Sequence, residues 1–282
     1  MAAISAAEVK SLRERTGAGM MDCKKALVEA EGDVERALDL LRERGLGKAR
    51  GKADRATSEG RIIASVSDDG STGALVELNC ETDFVARTDD FGALCDQVAD
   101  HVRQQAPADI DAFLAMDWPG GGTVKDALAE AVLKLGENLR VSRFSRLVSD
   151  GARIGSYIHA GGKIGALVQV EGEGAGADAF THNVCMHIAA SNPSGVSRDE
   201  IDGEEIDRER RILRAQAEGE GKPDNIIDKM VEGRLSKFFK EVVLLEQPLV
   251  MDPDTTVGDA AKSAGVEVVA FRRFQLGEEA VE

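Results

Sequence analysis

Gly73-Ala-Leu-Val-Glu-Leu78 is patterned as a strand and runs straight into Asn79-Cys-Glu-Thr-Asp-Phe-Val-Ala-Arg87, ahead of a helical pattern that begins near Asp90. Residues 79–87 therefore read as a strand-to-helix loop. Phe84 is its unusual member. In a chain that is only 4% aromatic, a phenylalanine between Asp83 and Val85 is either a plug for the core beneath or a wedge for a partner. Burial is the ordinary fate of such a side chain.

The rest of the chain weighs against the plug. Gly73–Leu78 recurs as Gly165-Ala-Leu-Val-Gln-Val170. Each copy follows a strand candidate (Arg61 to Ser67; Arg153 to His159) and a turn (Asp68-Asp-Gly70; Ala160-Gly-Gly-Lys163). The following helices also match, Leu94-Cys-Asp-Gln-Val-Ala-Asp100 with Val184-Cys-Met-His-Ile-Ala-Ala190. Later strands at Arg140–Leu147 and Val269–Leu276 complete two related subdomains, each a three-stranded antiparallel sheet with helices on one face. Their expected bounds are 60–150 for the first and 151–198 with 242–282 for the second. A structural plug would be needed in both copies, yet the second has only Glu171-Gly-Glu-Gly-Ala-Gly-Ala-Asp178 at its junction.

Two further units flank this α+β core. Ser5 and Glu8 form a capping box, Thr16-Gly-Ala-Gly19 breaks the helix so begun, and two more helical patterns run from Met20 to Glu31 and from Val34 to Arg44. Residues 1–45 thus form a three-helix module in which one of Met20 and Met21 is expected in the core and the other outward. Residues 46–59, small and charged, read as a linker, in part helical. Residues 199–241 read as a helical hairpin with Ile227, Val231, Leu235 and Phe238 on one stripe and Met230 beside it. Pairing between its arms is the first reading; contact with another molecule, self-association included, is the second.

The net charge of −16 opposes a general affinity for nucleic acid or anionic membrane, although residues 1–55 carry 12 Lys/Arg against 10 Asp/Glu. No apolar run reaches the ~20 residues of a membrane span, and the N-terminus has no signal-peptide pattern. Cys23, Cys80, Cys95 and Cys185 show no zinc spacing and read as reduced, mostly buried thiols of a cytoplasmic protein. Catalytic motifs are missing from the sequence. His182 and His187 are five residues apart and off a common helical face, and His159 ends a strand beside a Gly-Gly turn. Glu81, Asp83, Asp89 and Asp90 are the one candidate magnesium cluster, in a chain acidic enough to group carboxylates by chance.

Six stretches carry a resemblance: Leu12–Leu27, Thr82-Asp-Phe-Val-Ala86, Lys134-Leu-Gly-Glu-Asn138, Gly155-Ser-Tyr-Ile-His159, Met230-Val-Glu-Gly-Arg234 and Gln247-Pro-Leu-Val-Met251. Together they resemble the elongation factor Ts family, guanine nucleotide exchange factors of the GTPase elongation factor Tu. The resemblance implies a ubiquitin-associated-like N-terminal module, a two-subdomain core and a coiled-coil hairpin able to make a homodimer. It implies a factor without covalent chemistry or cofactor that binds GDP-bound and nucleotide-free elongation factor Tu. Asp83 and Phe84 would intrude near the GTPase's magnesium site, with Thr82 and Val85 shaping the loop. Arg13, Met20, Met21, Val250 and Met251 would pack on its nucleotide domain, Leu135 and Gly136 match further contacts, and His159 would lie toward its remaining domains. Many relatives continue past the last strand into a C-terminal helix, whereas this sequence stops at Gly277-Glu-Glu-Ala-Val-Glu282, which predicts weaker binding. Two alternatives are an adaptor built on residues 1–45, which would bind without the core, and a magnesium-dependent enzyme, which would turn over without a GTPase.

Overall fold

The computed structural model describes residues 4–159, 161–219 and 223–278. Residues 279–282 of the C-terminal departure and the middle of the hairpin turn lie outside the described residues. Three helices open the chain: α1 (Ala6–Thr16), α2 (Met20–Glu29) and α3 (Val34–Lys52). The capping box forms as expected, Ser5 Oγ accepting from the Glu8 amide and Glu8 accepting from the Ser5 amide. Gly17 ends α1 at φ 66°, a left-handed value that favours glycine. Asp33 caps α3 by accepting from the amides of Glu35 and Arg36.

α3 ends at Lys52 and not near Arg44, so the helical part of residues 46–59 is their first half. Its small residues serve close packing on α7 (Val124–Leu135). A Cβ at Gly45 would stand 3.2 Å from the Ala129 carbonyl oxygen, Ala49 packs on the core, and Arg42 Nε donates to Glu130 at 3.1 Å.

The core is two three-stranded antiparallel sheets. β1 (Glu59–Val66), β2 (Thr72–Cys80) and β3 (Arg140–Val148) form one, in that order. β4 (Arg153–His159), β5 (Ile164–Glu171) and β8 (Glu267–Gln275) form the other. Between β2 and β3 come α4 (Asp83–Ala86), α5 (Asp89–Gln105), α6 (Ile110–Ala115) and α7; α8 (Ala177–Ser191) follows β5. The duplication extends to register, for Ile62 faces Glu77 as Ile154 faces Gln169. A register break falls at Glu77/Leu78 in the first sheet and at Gln169/Val170 in the second.

The central strands are buried on both faces because each sheet has a helix layer on one side and the other sheet on the other. Ala74, Val76 and Leu78 of β2 join Phe91, Cys95 and Val98 of α5. Leu75 turns the opposite way and packs with Ile62, Leu147, Ile154 and Leu167 between the sheets. At this interface a Cβ on Gly73 would lie 2.7 Å from Ile154 Cγ2, and one on Gly165 2.6 Å from Ile62 Cγ2. Two hydrogen bonds repeat the exchange: the Ile62 amide donates to the Gly162 carbonyl at 2.6 Å, and the Ile154 amide to the Gly70 carbonyl at 2.9 Å. Each subdomain thus caps the other's hairpin turn. The buried Glu77 accepts from Arg143 Nε at 2.7 Å, while Arg143 Nη2 donates to the Gln275 carbonyl and its guanidinium stacks on Phe274.

The second subdomain is interrupted by α9 (Gly203–Glu218) and α10 (Asp224–Val242), then closed by β6 (Pro248–Leu249), β7 (Asp252–Thr256) and α11 (Val257–Ala264). The helical arms bury Leu213 and Ala217 against Ile227, Val231, Leu235 and Phe239. Phe239, not Phe238, completes the stripe, since successive steps of four keep one face inward; Phe238 is half-buried beside it.

Alanine at Gly165 must displace a β-branched side chain from the sheet interface. It should cost about 1–3 kcal/mol, read as a lower urea midpoint with an unchanged slope; an unaltered midpoint would contradict the close packing described.

Candidate functional site

β2 carries the chain to Cys80, two residues into the stretch expected as loop, and residues 83–86 then make one helical turn, α4. Thr82 caps it, its Oγ1 accepting from the Val85 amide at 3.4 Å. Ala86 is buried and Val85 packs on the core of the first subdomain. With those two inward, the turn directs Phe84 outward, where it is 81% exposed. Phe84 is not a plug. Cys80 beneath it keeps its proton: burial, then the negative charge of Glu137, pushes the thiol up to about 11.

The four acids considered as a magnesium cluster are spread among separate partners. Glu81 accepts from the Asn138 amide at 2.7 Å, which with a smaller contribution from Arg55 holds its carboxyl below the ordinary carboxylate value. Asp83 pairs with Arg87 at 2.8 Å and Asp90 with Lys134 at 2.6 Å, while Asp89 lies exposed at the start of α5. Among the described residues no group of three or more His, Cys, Asp or Glu is placed to hold a metal ion.

Seven large apolar side chains among the described residues are more than half exposed: Phe84, Met251, Met21, Val148, Met20, Val250 and Val28. Five of them are positions singled out by the sequence. Both Met20 and Met21 face outward, correcting the expectation that one enters the core. They occupy the first turn of α2, whose inward positions are filled by Cys23, Ala26 and Leu27. Arg13 is exposed on α1.

Short contacts link the loop before Met20, the end of α7 and the α4 turn along one rim. The loop ahead of Met20 meets the end of α7, where a Cβ on Gly17 would stand 2.9 Å from the Lys134 side chain. Leu135 is half-buried against the core, and Gly136, exposed at φ 82°, caps α7 while its carbonyl accepts from Lys52 Nζ. The next residue, Glu137, accepts from the amides of Glu81 and Thr82 and from Thr82 Oγ1. Beyond the turn, Asp83, Ala86 and Arg87 line a cleft of about 960 Å³ with Arg61, Ile158 and Lys163. His159, exposed at the end of β4 next to Ile158, bonds through Nδ1 with the Tyr157 hydroxyl at 2.9 Å.

Val250 and Met251 form the turn between β6 and β7. The Val250 amide donates to His187 Nδ1 at 3.3 Å, so His187 carries its proton on Nε2 and donates to Gln247 Oε1 at 2.8 Å. A buried neutral histidine thereby fixes the turn, and its burial lowers its pKa.

A family model for elongation factor Ts matches residues 81–278. The elongation factor Ts of Alkalilimnicola ehrlichii is 49% identical over 276 residues, covering 98% of this chain and 93% of that protein. Those of Levilactobacillus brevis and Halorhodospira halophila are 46% and 47% identical, each covering 98% of this chain and 92% of its counterpart. The chain belongs to the elongation factor Ts family. It is therefore grouped with translation elongation factors. The elongation factor Ts model begins at Glu81, whereas the full-length relatives match across the N-terminal helices as well. No helix among the described residues is long and apolar enough to cross a membrane.

Two residues at the rim had been given no role from sequence. Glu137 lies inside a stretch that carries the elongation factor Ts resemblance, but its three donors come from residues more than fifty positions away. Arg61 reads only as a strand residue, and its Nε donates to the Ala86 carbonyl at 2.5 Å.

The neutral His187 has a stability consequence. Its folded pKa is below the unfolded value near 6.5, so its contribution is complete above pH 6.5 and is lost as pH falls toward the folded value, because the unfolded chain takes up the proton first. The stability difference between wild type and His187→Leu should narrow from pH 7 to pH 5.5 in equilibrium unfolding; a difference independent of pH would exclude this titration.

Proposed function

We propose that the chain is a guanine nucleotide exchange factor for elongation factor Tu, acting by insertion of the α4 turn beside the magnesium and phosphate site of the GTPase. The observation that carries this reading is the 81% exposure of Phe84 on a capped, core-anchored turn. In this reading Asp83 and Phe84 intrude and Thr82 and Val85 shape the turn. Arg13, Met20, Met21, Val250 and Met251 pack on the nucleotide domain, and Leu135, Gly136 and His159 extend the contact. The factor engages the GDP-bound form, promotes GDP release, and stays on the nucleotide-free form until GTP binds.

No bond needs to be made or broken. A GTPase holds GDP through phosphate-loop amides and a magnesium ion bridging phosphate to protein, and each ~1.4 kcal/mol removed from those contacts weakens the nucleotide tenfold. Burying a phenylalanine contributes about 1.5–3 kcal/mol, enough for a ten- to hundredfold effect if the contact exists only in the nucleotide-open state. Asp83 is free to exchange partners, since an exposed pair such as Asp83–Arg87 is worth at most about 1 kcal/mol.

In domain terms we take 1–45 as the ubiquitin-associated-like module, 60–150 and 151–198 with 242–282 as the core subdomains, and 199–241 as the coiled-coil hairpin. The packing of α3 on α7 speaks against an adaptor in which the module works alone. A second copy docking on the hairpin would have to cover Ile212 and Ile226, its exposed apolar side chains.

Stopped-flow release of a fluorescent GDP analogue from the cognate elongation factor Tu tests the reading. Wild type should accelerate release strongly, and a folded Phe84→Ala variant should lose about ten- to a hundredfold of that acceleration; release at the wild-type rate would remove Phe84 from the mechanism.

A further inference from the structure

Resting on the exchange reading, we propose that Glu137 and Arg61 are positioning residues that clamp the two ends of the α4 turn and so present Phe84 in a fixed pose. At the entry to the turn, one Glu137 carboxylate accepts three hydrogen bonds: from the Glu81 amide at 3.1 Å, the Thr82 amide at 3.0 Å and Thr82 Oγ1 at 2.5 Å. Bonds to an ionised acceptor are the stronger kind. The stitch is reciprocal, because the Asn138 amide donates back to Glu81 Oε1 at 2.7 Å and the Asn138 side chain donates to the Arg55 carbonyl at 3.0 Å. Glu137 is itself held in place, being the first residue after the left-handed Gly136 that ends α7.

At the exit, Arg61 Nε donates to the Ala86 carbonyl, one of the orphan acceptors every helix leaves at its C-terminus. The guanidinium fits over the start of α5 because Gly92 has no side chain; a Cβ there would stand 3.1 Å from Arg61 Nη1. Arg61 also lines the cleft shared with Ile158 and Lys163, which makes it the link between the turn and the second subdomain's hairpin.

A four-residue helix has almost no stability of its own. Without the clamp the turn would sample many conformations, and ordering it on docking would be subtracted from the affinity for the nucleotide-open state. The second copy has no counterpart: Gly172 and Gly174 pack directly on the end of α11, a Cβ at Gly174 falling 1.8 Å from the Ala264 carbonyl oxygen. The clamp thus accompanies the only one of the two junctions that exposes an aromatic side chain.

The test compares wild type, Phe84→Ala, Glu137→Ala, Glu137→Gln, Arg61→Met and the Glu137→Ala/Phe84→Ala double variant. GDP release from the cognate elongation factor Tu is measured at saturating factor, and amide hydrogen exchange on the isolated proteins. Glu137→Ala should slow release about tenfold, the equivalent of one hydrogen bond to a charged group, but change it less than twofold in the Phe84→Ala background. Arg61→Met should act in the same direction, and Glu137→Gln should fall between wild type and Glu137→Ala. The Glu81 and Thr82 amides should exchange faster in Glu137→Ala. If that variant misfolds, the isosteric Glu137→Gln decides, with slowed release expected and unchanged release counting against the proposal. An equal loss in both Phe84 backgrounds would show that Glu137 acts elsewhere, and unchanged amide protection would overturn the clamp. If wild type itself fails to release GDP, the exchange reading falls and the positioning role with it, while amide exchange still decides whether the clamp exists.

Discussion

The face-to-face contact of the two sheets governs the architecture. Gly73 and Gly165 bring the central strands so close that Ile154 and Ile62 fill the space their side chains would have taken. Each subdomain also donates an amide hydrogen bond to a carbonyl in the other's hairpin turn. With one face of each sheet so occupied, the helices are confined to the outer faces, and β2 and β5 become strands buried on both sides. The same contact brings the turn that ends in Gly162 and Lys163 beside β1, next to α4. The cleft between them is a by-product of how two related halves pack.

Function separates the halves where symmetry does not require them to agree. The first junction makes a capped helical turn with Ala86 and Val85 inward and Phe84 outward; the second is a glycine-rich ribbon flattened against α11. Their central strands differ too, with Glu77 in the first where the second has Gln169, and the buried Glu77–Arg143 pair reaches across to Gln275 of β8. A buried acid is costly to leave unpaired, and since the same guanidinium bonds Glu77 through Nε and the Gln275 carbonyl through Nη2, the pair holds the end of β8 against the first sheet.

Much of this was legible in the sequence, for definite reasons. The repeated Gly-Ala-Leu-Val stretch gave away the duplication because both faces of a central strand must be apolar while close sheet packing demands the glycine. Phe84 was legible by contrast between the copies. The hairpin was legible from its stripe, although Phe239 rather than Phe238 completes it, a distinction of one residue that periodicity resolves poorly on a helix with phenylalanines at both positions. The end of α3 was misplaced because glycine and alanine signal a linker as readily as a close helix crossing, and only Ala129 of the neighbouring helix distinguishes them. Adjacent methionines suggest one inward and one outward, but Cys23, Ala26 and Leu27 fill the inward face and leave both Met20 and Met21 outside. Glu137 and Arg61 could not be assigned, because what they hold is backbone, and backbone partners leave no mark on sequence.

As an exchange factor the protein would act entirely through differential binding: contacts at Phe84 that form only when the nucleotide site is open must weaken GDP by the same factor by which GDP weakens the complex. The most direct measurement is therefore thermodynamic. Titration calorimetry of wild type and the Asp83→Ala/Phe84→Ala variant against nucleotide-free and GDP-loaded elongation factor Tu gives the ratio of the two affinities. If Asp83 and Phe84 carry the coupling, the wild-type ratio strongly favours the nucleotide-free form and collapses toward unity in the double variant. A ratio that survives the double substitution unchanged would contradict that role, and would move the coupling from the α4 turn to the helices and the Val250–Met251 turn.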